Sequence, residues 1–180
     1  TEMFVDGIVD LVQAGAIDGT QKFTNKGKII ATFAHGSKKM YDFLNNNPSV
    51  EFLPVSIVND PREIAKEERI VSINATTEVD LFGQCASETV AGKYYSSTGG
   101  QADFARGVRF AKEGKGFVCM TSTAKNDEIS RIKLSLSPGS VVTTSKNDVD
   151  MIVTEYGVAK MFGKPISERA KQLISIAHPK

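Results

Sequence analysis

The stretch that most clearly indicates the fold is Tyr94-Tyr95-Ser96-Ser97-Thr98-Gly99-Gly100-Gln101, residues 94–101. This loop of mostly small residues comes before a short predicted helix over 103–108, and a compact apolar strand over 116–121 follows that helix. Upstream of the loop, 70–74 and 78–82 have the pattern of two further strands. Strands and helices that alternate in this way are typical of an α/β domain.

Helices and strands also alternate in the first part of the chain. Phe4, Ile8 and Leu11 recur at the spacing of one helix face, which predicts an amphipathic helix from about residue 4 to the Gly15 region. The patterns that follow predict, in order, a strand over 28–34, a helix from a Ser37 cap to about 44, a strand over 52–58 interrupted by Pro54, and a short helix over 59–68.

Strands dominate after the loop, and a helix closes the chain. Strands are predicted over 129–136, 141–142 and 151–153, and a final helix over 166–176 with Ser167 as its N-cap. No internal repeat or long linker interrupts these patterns. We therefore expect a single α/β domain with an open mixed sheet and flanking helices.

The composition argues against several classes of function. The 180 residues include 22 Lys and Arg against 21 Asp and Glu, and the resulting net charge of +1 argues against a mainly electrostatic nucleic-acid binder. Apolar runs are far shorter than the roughly 18 residues that a membrane helix needs. Because no signal peptide opens the chain and two cysteines make no disulfide framework, we expect a cytoplasmic protein.

Imidazole, thiol and metal chemistry have little support in the sequence. His35 and His178 lack a catalytic setting and are interpreted as surface or capping residues. Cys85 and Cys119 lack CxxC spacing, and Cys119 lies in a predicted strand, which favours a buried apolar thiol over a nucleophile. No cluster of His, Cys and Asp has the spacing of metal ligands, so no metal is expected.

The glycine pair Gly99-Gly100 is a local signal for a ligand. Adjacent glycines before a helix expose main-chain N–H groups and let a ligand approach the chain closely. Such a loop suits a phosphate or the oxyanion of a carbonyl addition, and a plain tight turn has the same sequence.

Several charged residues have more than one interpretation. Glu2, taken by itself, is a carboxylate that the dipole of a following helix favours. Glu78 and Asp80 lie two positions apart in a predicted strand and therefore share a face, either as solvated or ion-paired groups or as a paired-carboxylate site. Lys125 and Arg131 flank a polar turn and face either phosphate or water.

Six ordered motifs resemble the C-terminal half of the acetyl-CoA hydrolase/CoA-transferase family. They are Thr1-Glu2-Met3, Val58-Asn59-Asp60-Pro61, Glu78-Val79-Asp80-Leu81, Gly99-Gly100-Gln101-Ala102-Asp103, Ser122-Thr123-Ala124-Lys125 and Val153-Thr154-Glu155-Tyr156-Gly157. The resemblance covers essentially the whole chain, and residues 168–170 and 174–179 complete it. The resemblance implies that residues 1–180 form the C-terminal domain of a CoA-transferase-type open α/β fold, and that an N-terminal domain is absent from this chain.

The resemblance also implies roles for individual residues. Glu2 matches the catalytic glutamate of the family, and the Gly100 N–H matches a donor beside the CoA thioester. The implied cofactor-binding positions are Asn59, Thr77, Ser96, Gly99, Gly100 and Lys125, of which Asn59 is an amide near the glutamate and Lys125 a lysine for the anionic CoA.

The implied activity is transfer of CoA between a short-chain acyl-CoA and a carboxylic acid such as acetate or 4-hydroxybutyrate, through a glutamyl-CoA thioester. CoA and acyl-CoA are then substrates, and no metal is required. Acetyl-CoA hydrolysis through the same intermediate and a non-catalytic acyl-CoA-binding module are the alternatives. Expected partners are acyl-CoA, short carboxylic acids and the N-terminal domain, with no nucleic acid or membrane, and homo-oligomerisation is left open.

Overall fold

The computed structural model describes residues 1–179, and six helices lie within that range. They are α1 (Asp6–Gln13), α2 (Lys38–Leu44), α3 (Val55–Val58), α4 (Pro61–Ile64), α5 (Gln101–Phe110) and α6 (Ile166–Ser175). None of these helices is long and apolar enough to cross a membrane.

Fifteen strands, most of them short, complete the secondary structure of residues 1–179. They are β1 (Met3–Phe4), β2 (Ile29–Ala31), β3 (Phe33–Ala34), β4 (Val50–Phe52), β5 (Val71–Ala75), β6 (Glu78–Asp80), β7 (Cys85–Ala86), β8 (Thr89–Val90), β9 (Lys93–Tyr94), β10 (Lys115–Cys119), β11 (Thr123–Ala124), β12 (Ile129–Ser130), β13 (Ile132–Lys133), β14 (Met151–Thr154) and β15 (Gly157–Lys160).

The largest sheet has four strands in the order β15–β14–β10–β5. Strands β5, β10 and β14 are parallel, with Phe117 of β10 between Ile73 and Met151, and β15 runs antiparallel to β14. Helix α5 precedes β10 in the chain and packs against both β10 and β5. The predicted α/β fold with a mixed sheet is therefore confirmed.

The larger hydrophobic core lies around this sheet and helix α6. Its buried members are Val79, Cys85, Val118, Met120, Val149, Ile152, Ala159, Met161, Leu173 and Ile176. Val118 and Ile152 come from adjacent parallel strands, and Leu173 is a fully buried residue of α6. Burial of these side chains attaches the closing helix to the sheet.

A smaller core supports the start of the chain. Phe4, Val9, Ala31 and Met40 are all at most 1% exposed and pack together. Strand β1 pairs in parallel with β3, so Phe4 lies beside Ala34 while its side chain is buried in this core. The position of Glu2, two residues before Phe4, is therefore set by a packed strand.

The predicted strand over 52–58 is wrong beyond its first residue. Strand β4 ends at Phe52, and Val55–Val58 form helix α3 with Pro54 at the N-cap. Proline lacks an N–H and holds φ near −65°, so it is tolerated at a helix start and disfavoured inside a sheet.

Other parts of the predicted secondary structure also differ from the structure. Val141 and Val142 form no strand, and the next two N–H groups, of Thr143 and Thr144, bond to the Cys85 carbonyl. Helix α6 is at the predicted place, but its N-cap is Pro165 and Ser167 lies in its first turn. Strands β7, β8, β9, β11 and β15 are not predicted from the sequence, and Phe4, predicted at the start of a helix, lies in β1. Strand β15 forms because it completes an antiparallel hairpin with β14.

Candidate active site

The carboxylate of Glu2 lies at the N-terminus of helix α5. Its position starts from the backbone, where the Glu2 carbonyl accepts hydrogen bonds from the N–H groups of Thr32 (2.8 Å) and Phe33 (3.3 Å). Helix α1 begins only at Asp6. The local interpretation of Glu2 as a carboxylate of the following helix is therefore wrong, because the helix terminus that it meets belongs to α5.

The contact between Glu2 and α5 is made by Gly100. The Gly100 N–H donates to Oε2 of Glu2 at 2.7 Å, and Gly100 is the N-cap of α5. A free N–H at a helix N-terminus carries partial positive charge, so it stabilises a carboxylate or a developing oxyanion. This is the anion-binding behaviour that the glycine pair predicts.

A side chain at position 100 would displace both Asn59 and Glu2. A Cβ built there would lie 2.3 Å from Nδ2 of Asn59 and 2.6 Å from Oε2 of Glu2. Gly99 has φ of +56°, a conformation that glycine adopts at little cost, and its Cβ position is 3.7 Å from the same Glu2 oxygen. The glycine pair therefore lets the carboxylate and the amide approach the main chain together.

Asn59 completes this arrangement from the turn between α3 and α4. Its side chain is 7% exposed, and its Oδ1 has no hydrogen-bond partner within residues 1–179. Asp60, the next residue, caps α4 by accepting from the Arg62 N–H at 2.8 Å. An unsatisfied buried amide oxygen is costly, and a ligand that pairs with it would remove that cost.

Close packing of α4 on α5 fixes the distance between Asn59 and Gly100. A Cβ at Gly107 would lie 2.5 Å from Cγ2 of Ile64, so the two helices touch where α5 has no side chain. Ile64 itself is buried. Gly107, about two helical turns from Gly100 along α5, therefore supports the site through packing.

Asp103 is a further acidic group near Glu2 for which no role is predicted from the sequence. Burial raises the pKa of Asp103; the charge of Arg106 opposes this shift, while the negative charges of Glu2 and Asp60 add to it. Asp103 lies in the first turn of α5. Its presence in the quoted glycine motif is the sequence signal that would have identified it.

The implied CoA-binding residues differ in how they relate to this cluster. Ser96 is exposed in the loop that ends at Gly100, and its N–H bonds to the Glu88 carbonyl at 3.2 Å. Thr77 faces inward, with Oγ1 2.6 Å from the carbonyl oxygens of both Ala86 and Thr89. Within residues 1–179 the structure thus brings Glu2 together with Asn59, Gly99 and Gly100, and places Thr77 outside their direct contacts.

Lys125 lies in a different hairpin, between β11 and β12. It is exposed with φ of +51°, and Asn126 and Asp127 are also left-handed. The hairpin is anchored at Ser122, whose N–H and hydroxyl donate to the Glu155 carboxylate at 2.8 and 2.5 Å. These bonds, led by the one from the hydroxyl, lower the pKa of Glu155 and link two of the quoted motifs.

Glu78 and Asp80 are structural carboxylates, each with its own partners. Glu78 is 4% exposed and pairs with Lys133 at 2.6 Å. Burial alone would raise its pKa, but hydrogen bonds, led by that from Lys133, lower the pKa of Glu78 to about 2. Asp80 accepts from the N–H groups of Phe82 and Gln84 at 3.0 and 2.9 Å. These partners favour the ion-paired interpretation over a paired-carboxylate site.

The thiols and imidazoles occupy settings without nucleophilic character. Cys85 is fully buried, which raises its pKa to about 12, and burial also raises the pKa of the partly buried Cys119. A thiolate is therefore disfavoured at both positions. His35 is exposed, and His178 lies edge-on to the Tyr156 ring at 5.7 Å between centroids.

Comparison with known proteins identifies close relatives. Residues 36–180 match the family model described as the acetyl-CoA hydrolase/transferase C-terminal domain. The chain is 54% identical over 179 residues to succinyl-CoA:cyclohexane-1-carboxylate CoA transferase of Geobacter metallireducens, covering 99% of this chain and 41% of the relative. It is 49% identical over 180 residues to 4-hydroxybutyrate coenzyme A transferase of Clostridium kluyveri, covering 100% of this chain and 42% of that protein.

A solved structure shares the fold. The crystal structure of 4-hydroxybutyrate CoA-transferase from Porphyromonas gingivalis superposes with a TM-score of 0.85 at 41% identity, over 99% of this chain and 41% of that one. The chain therefore spans about 40% of the length of the proteins that it matches.

Proposed function

The chain belongs to the acetyl-CoA hydrolase/transferase family, and on this basis we propose that it is the C-terminal part of a CoA-transferase whose nucleophile is Glu2. The observation that carries the proposal is the 2.7 Å hydrogen bond from the Gly100 N–H to the Glu2 carboxylate. It places an acidic nucleophile and a main-chain oxyanion donor in contact, at the start of a ten-residue helix.

The first half of the reaction transfers CoA to the protein. The Glu2 carboxylate attacks the acyl-CoA carbonyl, the C–S bond breaks, and the products are an acyl-glutamyl anhydride and the CoA thiolate. The thiolate then attacks the glutamyl carbonyl of the anhydride. The acyl group leaves as a carboxylate, and a glutamyl-CoA thioester remains.

The second half repeats these steps with the acceptor. The acceptor carboxylate attacks the glutamyl carbonyl and expels the CoA thiolate, which forms a new anhydride. The thiolate attacks the acceptor's carbonyl in this anhydride, which yields the new acyl-CoA and restores the Glu2 carboxylate. No net proton transfer is needed, so the site has to supply charge stabilisation rather than an acid or base.

Gly100 and Asn59 are the groups that supply this stabilisation. Each step passes through a tetrahedral oxyanion, and a preorganised N–H at a helix N-terminus lowers the energy of that charge. The Asn59 amide lies on the same side of Gly100 as the Glu2 carboxylate, because a Cβ on Gly100 would approach both, and its Oδ1 has no hydrogen-bond partner within residues 1–179. Its dipole is therefore free to interact with the reacting carbonyl.

CoA contacts are proposed on the loop and hairpin that flank the site. Ser96 and Gly99 line the exposed loop next to Gly100, and the exposed ammonium of Lys125 suits the phosphates of CoA. The Thr77 hydroxyl lies within hydrogen-bond distance of two carbonyl oxygens, so its proton is already used. A contact of Thr77 with CoA would therefore use its main chain, or its hydroxyl oxygen as an acceptor. These assignments rest on the family resemblance.

The substrates and partners proposed for the whole protein follow from its relatives. The name of one relative specifies succinyl-CoA and cyclohexane-1-carboxylate, and that of the other specifies 4-hydroxybutyrate, which supports a short or alicyclic acid as acceptor. Because the chain spans about 40% of their length, we propose that an N-terminal domain covers the site in the whole enzyme. The two free cysteines suit a cytoplasmic location.

Acyl exchange in the protein at the full length of its relatives tests the proposal. Acyl-CoA is supplied with and without acetate or 4-hydroxybutyrate, and borohydride or hydroxylamine is added to trap the intermediate for peptide mass spectrometry. We expect acceptor-dependent exchange and a mass change at Glu2. Glu2→Ala should abolish both, whereas Glu51→Gln, at an exposed carboxylate, should change neither.

The outcomes separate the alternatives. CoA release that does not depend on the acceptor acid would indicate the acetyl-CoA hydrolase, with water attacking the same glutamyl intermediate. Binding of acyl-CoA without any covalent adduct would indicate a non-catalytic acyl-CoA-binding module. Normal exchange by Glu2→Ala would overturn the assignment of the nucleophile.

A further inference from the structure

The hairpin formed by β8 and β9 leads directly into the loop that carries Ser96, Gly99 and Gly100. Ala91 and Gly92 form its turn with φ of +49° and +77°, the positive values that a two-residue hairpin turn requires. After the hairpin, the N–H groups of Tyr95 and Ser96 both bond to the Glu88 carbonyl, at 2.8 and 3.2 Å. The position of the hairpin therefore sets where the loop starts.

The base of the hairpin is held by Thr77. Its hydroxyl oxygen lies 2.6 Å from the Thr89 carbonyl oxygen and 2.6 Å from that of Ala86. Thr89 is the first residue of β8 and is fully buried. This contact fixes the end of the hairpin that lies closest to the sheet.

The tip of the hairpin rests on a second turn, at Pro138-Gly139. The Ser140 N–H bonds to the Ser137 carbonyl at 2.9 Å across this turn, and Gly139 has φ of +83°, as a Pro-Gly type II turn requires. A Cβ built on Gly92 would lie 1.9 Å from the Pro138 carbonyl oxygen, and one on Gly139 would lie 2.8 Å from the Gly92 oxygen. The two turns thus touch backbone to backbone.

Glu78 holds that second turn in place. Its Oε1 accepts from the Ser137 N–H at 2.9 Å, and its Oε2 accepts from the Ser137 hydroxyl at 2.7 Å and from Nζ of Lys133 at 2.6 Å. Hydrogen bonds to a buried carboxylate are stronger than neutral ones, and losing a partner leaves a costly unpaired group. Adjacent residues Thr77 and Glu78 therefore support the same hairpin at its base and at its tip.

We propose that Glu78 is a positioning residue for the active-site loop: by holding the Ser137–Ser140 turn against Gly92, it places the exposed Ser96–Gly99 segment, which leads to the Gly100 N–H, beside the reacting thioester. The effect on catalysis rests on the proposed function, whereas the effect on loop order does not. Glu78 itself is 4% exposed and acts only through the hairpin. The far end of the loop is fixed separately, because the Gln101 amide donates to the Thr144 hydroxyl at 3.0 Å.

Asp80 offers a matched control for Glu78. It lies two residues away in the same strand, is 2% exposed, and binds the Phe82–Gln84 turn instead of the hairpin. Glu78→Gln and Asp80→Asn therefore each neutralise one buried carboxylate of β6. Both variants are expected to lower Tm, and the difference between them isolates the effect on the loop.

The test measures steady-state kinetics and amide hydrogen exchange in the whole protein, well below the Tm of each variant. For Glu78→Gln we expect kcat/KM for acyl-CoA to fall about tenfold, and exchange over residues 89–100 to become faster. For Asp80→Asn we expect kcat/KM within about twofold of the parent value, and amide exchange over residues 89–100 at the parent rate. Ser137→Ala is a milder change that keeps the ion pair between Glu78 and Lys133. It should lower kcat/KM and speed exchange over 89–100 less than Glu78→Gln does, and it replaces Glu78→Gln in the test if that variant does not fold.

Two results would overturn the proposal. One is an equal loss of kcat/KM in Glu78→Gln and Asp80→Asn, which would show general destabilisation. The other is unchanged exchange over 89–100 in both Glu78→Gln and Ser137→Ala. If the parent protein proves to have no transferase activity, the proposed function fails, and the exchange measurement still decides whether Glu78 orders the loop.

Discussion

The Gly100 N–H donates a 2.7 Å hydrogen bond to the Glu2 carboxylate across 98 positions of sequence. Glu2 is held by a strand of the small N-terminal core, and Gly100 by a helix that packs on the larger sheet. The candidate site therefore forms where these two packed regions meet, and its geometry depends on both.

The first prediction concerns the space at Gly100. Gly100→Ala should reduce kcat roughly 100-fold, because the added methyl group displaces the Glu2 carboxylate and the Asn59 amide from the oxyanion donor. Acyl exchange and borohydride trapping at Glu2 measure the effect.

Gly7→Ala is the control, since nothing lies within 4 Å of a Cβ at that exposed position of α1. The higher helix propensity of alanine should add roughly 0.5–1 kcal/mol of stability there. Normal exchange by Gly100→Ala would contradict the assigned geometry.

The second prediction separates function from stability at Asn59. Asn59→Ala should change the free energy of unfolding by about 1 kcal/mol or less, because Oδ1 has no hydrogen-bond partner within residues 1–179, while kcat falls at least about tenfold. Asn47→Ala should instead lower the free energy of unfolding and leave kcat unchanged. The Asn47 side chain bonds to the Phe43 carbonyl at 3.1 Å and the Ser49 N–H at 3.0 Å, away from the site. Urea unfolding with steady-state kinetics checks both, and a large stability loss in Asn59→Ala with full activity would contradict the role.

The third prediction is a pH dependence of stability from Glu78. Its pKa is about 2 in the folded protein against an ordinary value of 4.5, so its contribution is complete above pH 4.5 and is lost as the pH falls toward 2. The parent should exceed Glu78→Gln in unfolding free energy by roughly 3 kcal/mol at pH 7, and this difference should shrink between pH 4.5 and 2. Denaturant unfolding across that range measures it, and a difference that is constant with pH would show that the carboxylate is not the source.

The fourth prediction concerns the thiols. At pH 8 iodoacetamide should leave Cys85 unmodified in the native protein and should modify Cys119 more slowly than free cysteine, because burial raises the pKa of both. Peptide mass spectrometry after timed alkylation measures the rates, with denatured protein as the control. Retention of acyl exchange after Cys119 is alkylated is expected, since no thiol takes part in the proposed reaction. Rapid loss of exchange in step with alkylation would instead indicate a thiol in the mechanism.

The fifth prediction compares two lengths of the protein. The 180-residue chain alone should turn over acyl-CoA far more slowly than a protein of its relatives' length, because an open site neither excludes water nor holds both substrates in register. Circular dichroism and thermal unfolding establish that the short chain is folded before the rates are compared. Equal turnover by the two proteins would show that this domain carries a complete site.

Periodic patterns in the sequence were sufficient for most elements of the fold. The helical spacing of Ile8 and Leu11 and the apolar run over 116–121 predicted α1 and β10, since both signals reflect burial of one face. Phe4, counted in the same helical pattern, lies instead in strand β1. The segment over 52–58 misled because its apolar residues suit either a strand or a helix. The position of Pro54 at the helix N-cap resolved that ambiguity only in three dimensions.

Motif order indicated the family and the chemistry, and the glycine pair indicated an anion site. These signals are local, since they depend on residue type and spacing along the chain. Tertiary structure alone decided which helix terminus Glu2 meets, which is α5 and not α1, and that Glu78 pairs with Lys133 and Ser137 rather than with Asp80. Such contacts join residues 55 to 98 positions apart, and packing of separate strands and helices determines them, so no local pattern can encode them.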